Sequence, residues 1–341
     1  MMAVPERYID GRFFEHDLHP TRRTWLKHLG FLLLTLVTTT VAGTLFPFGP
    51  IPTLPDSDPQ SWPEIFAFIS SLPSRYVALV STAVHYLFTD IAYLKYGLSF
   101  SISLLFILIS HEMGHYIACR IYKVDATLPY FIPTPPMIGP AGTFGAFIKI
   151  RSPMPSRKAV FDIGVAGPIA GFIALIPIAI IGVATMEAAT PEQLAGSTGI
   201  VFSDPLFMQL IASARGIDLS LSVGNAFYFA AWVGLLVTAL NLIPSGQLDG
   251  GHAIYAVFGE TVHRWTGRIA FVLMAALSII GWFYFNSPSG FLLAVLLAVM
   301  MRIRHPEPRD QSPLGAVRTA VAVLTLLVFV LCFLPFPIQI R

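Results

Sequence analysis

Ser110-His111-Glu112-Met113-Gly114-His115 lies inside an apolar run that begins near Leu98 and ends at the basic Arg120 and Lys123. On a helix His111 and His115 are four positions apart, so both imidazoles project from one face and can bind one metal ion, with Glu112 beside it. The surroundings include Leu104-Leu105-Phe106-Ile107-Leu108-Ile109, among which His, Glu and His are costly unless they face a protein interior or a wet cavity. Cys119 continues the spacing, but each four-residue step climbs about 6 Å along a helix, too far from a metal at His111.

The 341-residue chain is 55% hydrophobic and 12% charged, with a mean hydropathy of +0.70. These values lie outside the soluble range and describe a polytopic membrane protein. The net charge is only +2 and no basic cluster interleaves with aromatics, so no nucleic-acid partner is expected. Cys119 and Cys332 are far apart, both inside apolar segments, and read as inert buried thiols rather than a disulfide.

Residues 1–24 are polar, and the apolar run 25–46 is long enough to span a bilayer as a retained helix rather than a removed signal peptide. Residues 47–63 read as an extended loop. The short apolar-faced stretches 65–72 and 76–88 are expected to be interfacial or partly buried helices. Further spans are expected at 97–122, 159–186, 226–243, 268–285, 290–301 and 316–334, seven in all, with 290–301 half-length or tilted. The prolines of 129–140 exclude regular helix, and 142–150 alternates and is β-prone, predicting a short strand or hairpin at the membrane surface. Residues 190–224 read as polar loop. The fold class is all-α polytopic, about seven transmembrane helices with one short β element.

Basic residues near the span ends set the orientation. With the amino terminus inside, the inner segments hold Arg22, Arg23 and Lys27, then Arg120, Lys123, Lys149, Arg151, Arg157 and Lys158, then Arg264 and Arg268, then Arg302, Arg304, Arg309 and Arg318. The outer segments hold Asp56, Asp58, Glu64, Glu187, Glu192, Asp204 and Asp218. The metal signature then sits near the cytoplasmic end of its helix and the carboxyl terminus lies outside. A bacterial inner membrane is the expected host.

A catalytic zinc site needs a third protein ligand and an open position. In Asn241-Leu242-Ile243-Pro244-Ser245-Gly246-Gln247-Leu248-Asp249-Gly250-Gly251-His252, Asp249 follows the helix-breaking Pro244 and adjoins two glycines that permit close packing. It is the first candidate, with a helix cap as its other reading, and His252 is the second. His16, His19, His28, His85, His263 and His305 lack a partner at ligand spacing and read as surface or interface residues. Gly164, Gly167, Pro168 and Gly171 place small residues three or four apart, a face suited to pack against the metal-bearing helix.

His111 to His115, the strand-like 142–150, Gly164 to Gly171 and Asn241 to Gly250 together resemble the site-2 protease family of intramembrane zinc metalloproteases. The resemblance covers 97–252, the family core, leaving 1–96 as tail, first helix and outer loop, and 253–341 as further transmembrane helices. It implies one Zn²⁺ per chain, held by His111, His115 and Asp249, with Glu112 as the catalytic base. Asn241 falls at the family's Asn-x-x-Pro position, implied to contact substrate backbone or stabilise the transition state. Stretch 142–150, including Gly145 and Phe147, resembles the family's substrate-clamping edge strand. The implied activity is peptide-bond hydrolysis within or next to transmembrane segments, the partners being such substrates and the lipid bilayer. A PDZ or nucleotide-sensing domain, found in several family members, is not recognisable. A metal transporter would need ionisable residues along a path across the bilayer, whereas only one cluster is seen. A non-catalytic binder would have no need of Glu112.

Overall fold

The computed structural model describes residues 20–52, 61–191, 199–302, 308 and 310–340. The polar leader up to residue 19, Asp56, Asp58, Glu192, Arg304, Arg309, His16, His19 and His305 lie outside them.

The helices are α1 (Arg22–Thr44), α2 (Trp62–Thr89), α3 (Ile91–Ile121), α4 (Arg157–Ala184), α5 (Leu206–Arg215), α6 (Ala226–Leu242), α7 (Asp249–Phe258), α8 (Glu260–Phe285), α9 (Ser289–Met300) and α10 (Ala316–Cys332). Side-chain caps start several of them: Thr21 accepts from the Thr24 N–H, Asp90 from Ala92 and Ser156 from Ala159, each satisfying an otherwise orphaned donor. Among the described residues five helices, α1, α2, α3, α4 and α8, are long and apolar enough to cross a membrane, and α6, α9 and α10 are shorter apolar helices. The chain is an integral membrane protein.

Two expectations need correction. The stretches 65–72 and 76–88 form one helix, α2, because Pro73 lies inside it without ending it. The hydroxyls of Ser70 and Ser71 donate to the carbonyls of Ala67 and Phe68 in the turn before Pro73. The supposed loop 190–224 contains α5, which forms because Met208 and Ala212 can be buried against the core.

The core lies where α3, α4 and α6 meet, around Leu104, Ile107, Leu175, Trp232 and Leu235. Helix α1 docks on α3 through small and hydroxyl side chains, with Thr40 Oγ1 2.8 Å from Ser101 Oγ and Gly97 against the Thr40 carbonyl. The strand or hairpin expected over 142–150 is one strand of a hairpin that also takes in the proline-rich stretch before it: β1 (Tyr130–Pro133) pairs antiparallel with β2 (Thr143–Phe147), Tyr130 opposite Phe147 and Phe131 opposite Ala146. Its turn rests on α1, where the Thr38 hydroxyl donates to the Gly142 carbonyl at 2.8 Å. Gly142 has φ +79° and a Cβ there would lie 2.5 Å from the Thr38 carbonyl oxygen, so this position demands glycine. On the far side, β3 (Glu187–Ala188) pairs with β5 (Ser222–Val223), and β4 (Ile200–Phe202) with β6 (Ile338–Ile340).

Candidate metal centre and active-site cavity

His111, Glu112 and His115 are all buried on the later half of α3. Asp249 arrives from a different direction. The chain leaves α6 at Leu242, turns through Ser245 and Gly246, and Asp249 becomes the first residue of α7. Gly246 has φ +54°, and its carbonyl accepts from His263 Nε2 at 2.9 Å. His263 is therefore a buried residue that pins the turn rather than a surface one. His28 is likewise buried, donating from Nδ1 to the Pro129 carbonyl at 2.8 Å. Gly250 passes so close to the end of α6 that a Cβ would lie 2.0 Å from the Leu242 carbonyl oxygen, which is why the residue after the carboxylate is glycine.

The result is a tight cluster. His111 Nε2 and His115 Nε2 are 3.1 Å apart, and each lies 3.3 Å from Asp249 Oδ2. The Nδ1–H of His115 donates to the Ile163 carbonyl at 2.7 Å, which leaves the Nε2 lone pair facing the cluster. Lone pairs and a carboxylate oxygen converging in this way repel one another unless a cation lies between them. Bonds of about 2.0–2.1 Å to a tetrahedral ion would put its ligands about 3.3 Å apart, matching the spacing found. Among the described residues, His111, His115 and Asp249 form the one group of three His, Cys, Asp or Glu side chains able to hold a metal ion. Cys119 is fully buried elsewhere, and His252 lines the cavity with its Cβ against Gly164.

The small-residue face of α4 makes the approach of the helices possible. Gly167 sits directly over the His115 ring, Gly171 over His111, and Gly114 on α3 against the Ala166 carbonyl. Asn241 Nδ2 lies 3.3 Å from His111 Nε2, so Asn241 borders the same space.

The cluster opens into a cavity of about 550 Å³, walled on one side by residues 146–150. Ile148 and Glu112 line this cavity together. Thr127 N donates to the Lys149 carbonyl at 3.0 Å and Arg151 N to the Asp125 carbonyl at 2.8 Å. Backbone groups alternate along a strand, so Phe147 and Lys149 bond toward the β1 side, and Ala146 and Ile148 turn their donors to the cavity. Phe147 instead stacks on Tyr130, centroids 5.7 Å apart. Gly145, with φ +88°, lies just before the cavity wall.

The family model for peptidase family M50 matches residues 99–281, more than half of the chain, including every residue of the cluster and Asn241. The chain belongs to peptidase family M50. This is the site-2 protease family that the motifs resemble. Among curated relatives, this M50 chain is 31% identical over 238 residues to the probable zinc metalloprotease EGY1, chloroplastic, of Oryza sativa subsp. japonica, covering 66% of this chain and 38% of the relative. The EGY1 protein of Arabidopsis thaliana is 30% identical over 237 residues, 67% of this chain and 41% of that protein. The EGY2 protein of the same plant is 25% identical over 282 residues, 79% and 46%. The matches thus span less than half the length of these relatives. All three are named as chloroplastic, so the expected bacterial inner membrane finds no support among them.

Several contributors escaped sequence reasoning. The Ile163 carbonyl that holds His115 is a backbone group, which carries no sequence signal. Arg157, counted only as an inner basic residue, donates from Nη2 to the Val257 carbonyl at 2.8 Å and from Nε to Ala256, capping the far end of the helix that Asp249 begins.

Proposed function

We propose that this M50 chain is a zinc-dependent endopeptidase that cleaves peptide bonds within or next to the transmembrane segments of membrane proteins. The observation that carries the reading is the convergence of His111, His115 and Asp249 at tetrahedral ligand spacing, with Glu112 on the same helix and a strand edge across the cavity. These three residues would hold Zn²⁺. The chemistry Zn²⁺ supplies when bound is Lewis acidity, which lowers the pKa of a water molecule to about 7 and polarises a carbonyl oxygen.

The chain's own residues supply the rest. Glu112 takes a proton from the attacking water at its carboxylate and delivers it to the amine nitrogen as the C–N bond breaks. Asn241 donates from its amide to the charge developing on the carbonyl oxygen. A transmembrane helix has its peptide groups sealed in internal bonds, so it must unwind before attack. Pairing of the unwound segment with the cavity-facing donors of Ala146 and Ile148 compensates those lost bonds, as in strand addition.

The membrane path in this reading has seven crossings: α1, α3, α4, α6, α8, α9 and α10. Helix α2 is not counted, because Ala83 and Leu87 near its end pack with Leu45 and Ile51 beyond α1, and α3 begins on the same side. Pairing of β4 with β6 is consistent with both the 199–225 segment and the carboxyl end lying outside. The cluster then faces the side carrying Arg120, Lys123 and Lys149, the cytoplasmic side by charge.

The test compares wild type, Glu112→Gln and Asp249→Ala in detergent for bound zinc and for cleavage of a generic transmembrane substrate. The expected result is one zinc per chain, retained in Glu112→Gln while cleavage vanishes and weakened in Asp249→Ala. Cleavage unchanged in Glu112→Gln would sink the mechanism.

A further inference from the structure

Arg318 lies on α10, outside the 99–281 segment matched by the family model. Its guanidinium nevertheless grips Asp162 on α4 with two prongs, Nε to Oδ1 at 2.9 Å and Nη2 to Oδ2 at 2.8 Å. Nη2 also donates to the Tyr122 hydroxyl at 3.1 Å, and that hydroxyl donates in turn to Asp162 Oδ2. Tyr122 is the C-cap of α3. One carboxylate therefore ties together α3, α4 and α10.

The residue after Asp162 is Ile163, whose carbonyl receives the His115 Nδ1–H. One turn further, Gly167 meets the other side of the same ring. Whatever sets the height of α4 against α3 thus sets the aim of His115. A partner of this kind on a ligand imidazole is worth about ten- to a hundredfold in metal affinity.

We propose that Arg318 is a positioning residue for the metal centre: by holding Asp162 and Tyr122 in one fork it locks the Ile163 carbonyl onto His115 Nδ1. The inference rests on the zinc-protease reading and adds the C-terminal helix to it. The planar fork matters, since a bidentate pair fixes direction as well as distance.

The full chain in detergent is compared with Arg318→Gln, Arg318→Lys and the double variant Asp162→Asn/Arg318→Gln. The double variant leaves no uncompensated charge, the fault that destabilises the single Arg318→Gln. Three readouts are taken: zinc affinity by competition with a chromophoric chelator, the visible spectrum of the Co²⁺-substituted protein, and thermal unfolding of the metal-free protein. The double variant is expected to lose about tenfold or more in zinc affinity and to show an altered Co²⁺ spectrum, with its metal-free unfolding midpoint close to wild type. Arg318→Lys recovers part of the affinity, because it restores the charge without the fork. Zinc affinity and Co²⁺ spectrum both unchanged in the double variant overturn the inference, whatever its unfolding midpoint. A wild type that binds no zinc overturns the protease reading and this inference with it, so the two failures are told apart.

Discussion

Replacing Gly167 by alanine places a methyl group where the His115 ring now lies. The added Cβ would be 2.1 Å from His115 Nε2 and 2.4 Å from Cδ2, against about 3.4 Å for an ordinary contact. The ring has no free direction in which to step aside, since Nδ1 is held by the Ile163 carbonyl at 2.7 Å and Nε2 lies between His111 and Asp249. Either the imidazole or the whole of α4 must then move by more than about 1 Å, whereas metal–ligand distances hold within about 0.2 Å. Zinc affinity is expected to fall by about a hundredfold, and cleavage of a transmembrane substrate by about a hundredfold or more. Gly171→Ala makes a graded comparison, because its Cβ would meet His111 Cβ at 3.1 Å, a squeeze of a few tenths of an ångström that should cost about tenfold or less. Gly30→Ala, with nothing within 4 Å, should change neither property. Bound zinc by elemental analysis and cleavage of a labelled substrate, measured on the three variants together, decide the matter. Wild-type zinc and cleavage in Gly167→Ala, or equal losses in all three variants, would refute the reasoning.

Other outcomes follow from the same geometry. Asn241→Ala should lower kcat by about 10²–10³-fold with zinc retained, and a loss of less than about tenfold would deny Asn241 its role at the developing charge. Ala146→Pro removes a donor facing the cavity and should weaken cleavage of a helical substrate about tenfold or more at unchanged zinc content; unaltered cleavage would refute strand pairing. Outside the membrane segments, burial raises the Asp204 carboxyl above its usual range, partly offset by the hydrogen bond it accepts from the Tyr228 hydroxyl. Its folded pKa exceeds the unfolded value of about 3.9, so the stability from this group is present below that pH and is lost as pH rises through the raised value. Asp204→Asn should therefore unfold at a higher temperature than wild type at pH 7, with the difference shrinking as the pH approaches 4. A lower midpoint at pH 7 would contradict this.

The HExxH pair was legible because its geometry is local: residues four apart on any helix share a face. The hairpin was legible for a similar reason, since prolines exclude helix and alternation marks a strand. The stretches 65–72 and 76–88 were read as separate short helices, whereas one helix runs through Pro73 from Trp62 to Thr89. His28 and His263 were misread because burial belongs to partners distant in sequence, Pro129 and Gly246. Arg318 was seen only as a charge for orientation, and nothing near it in the chain pointed to Asp162, which lies 156 residues away.

By itself the sequence determined that the chain enters a membrane, where most of its long apolar helices lie, and that His111, Glu112 and His115 share one of them, because hydropathy and periodicity are summed over neighbouring residues. Only the tertiary structure brought Asp249 to 3.3 Å from both His111 and His115, and placed Asn241, 130 residues from His111, beside the same cavity. It also decided that Ala146 and Ile148, not Phe147, present their backbone donors there. Those choices depend on how closely α3, α4 and the Leu242–Asp249 turn can approach. That distance is set by glycines, backbone carbonyls and remote ion pairs that leave no periodic trace along the chain.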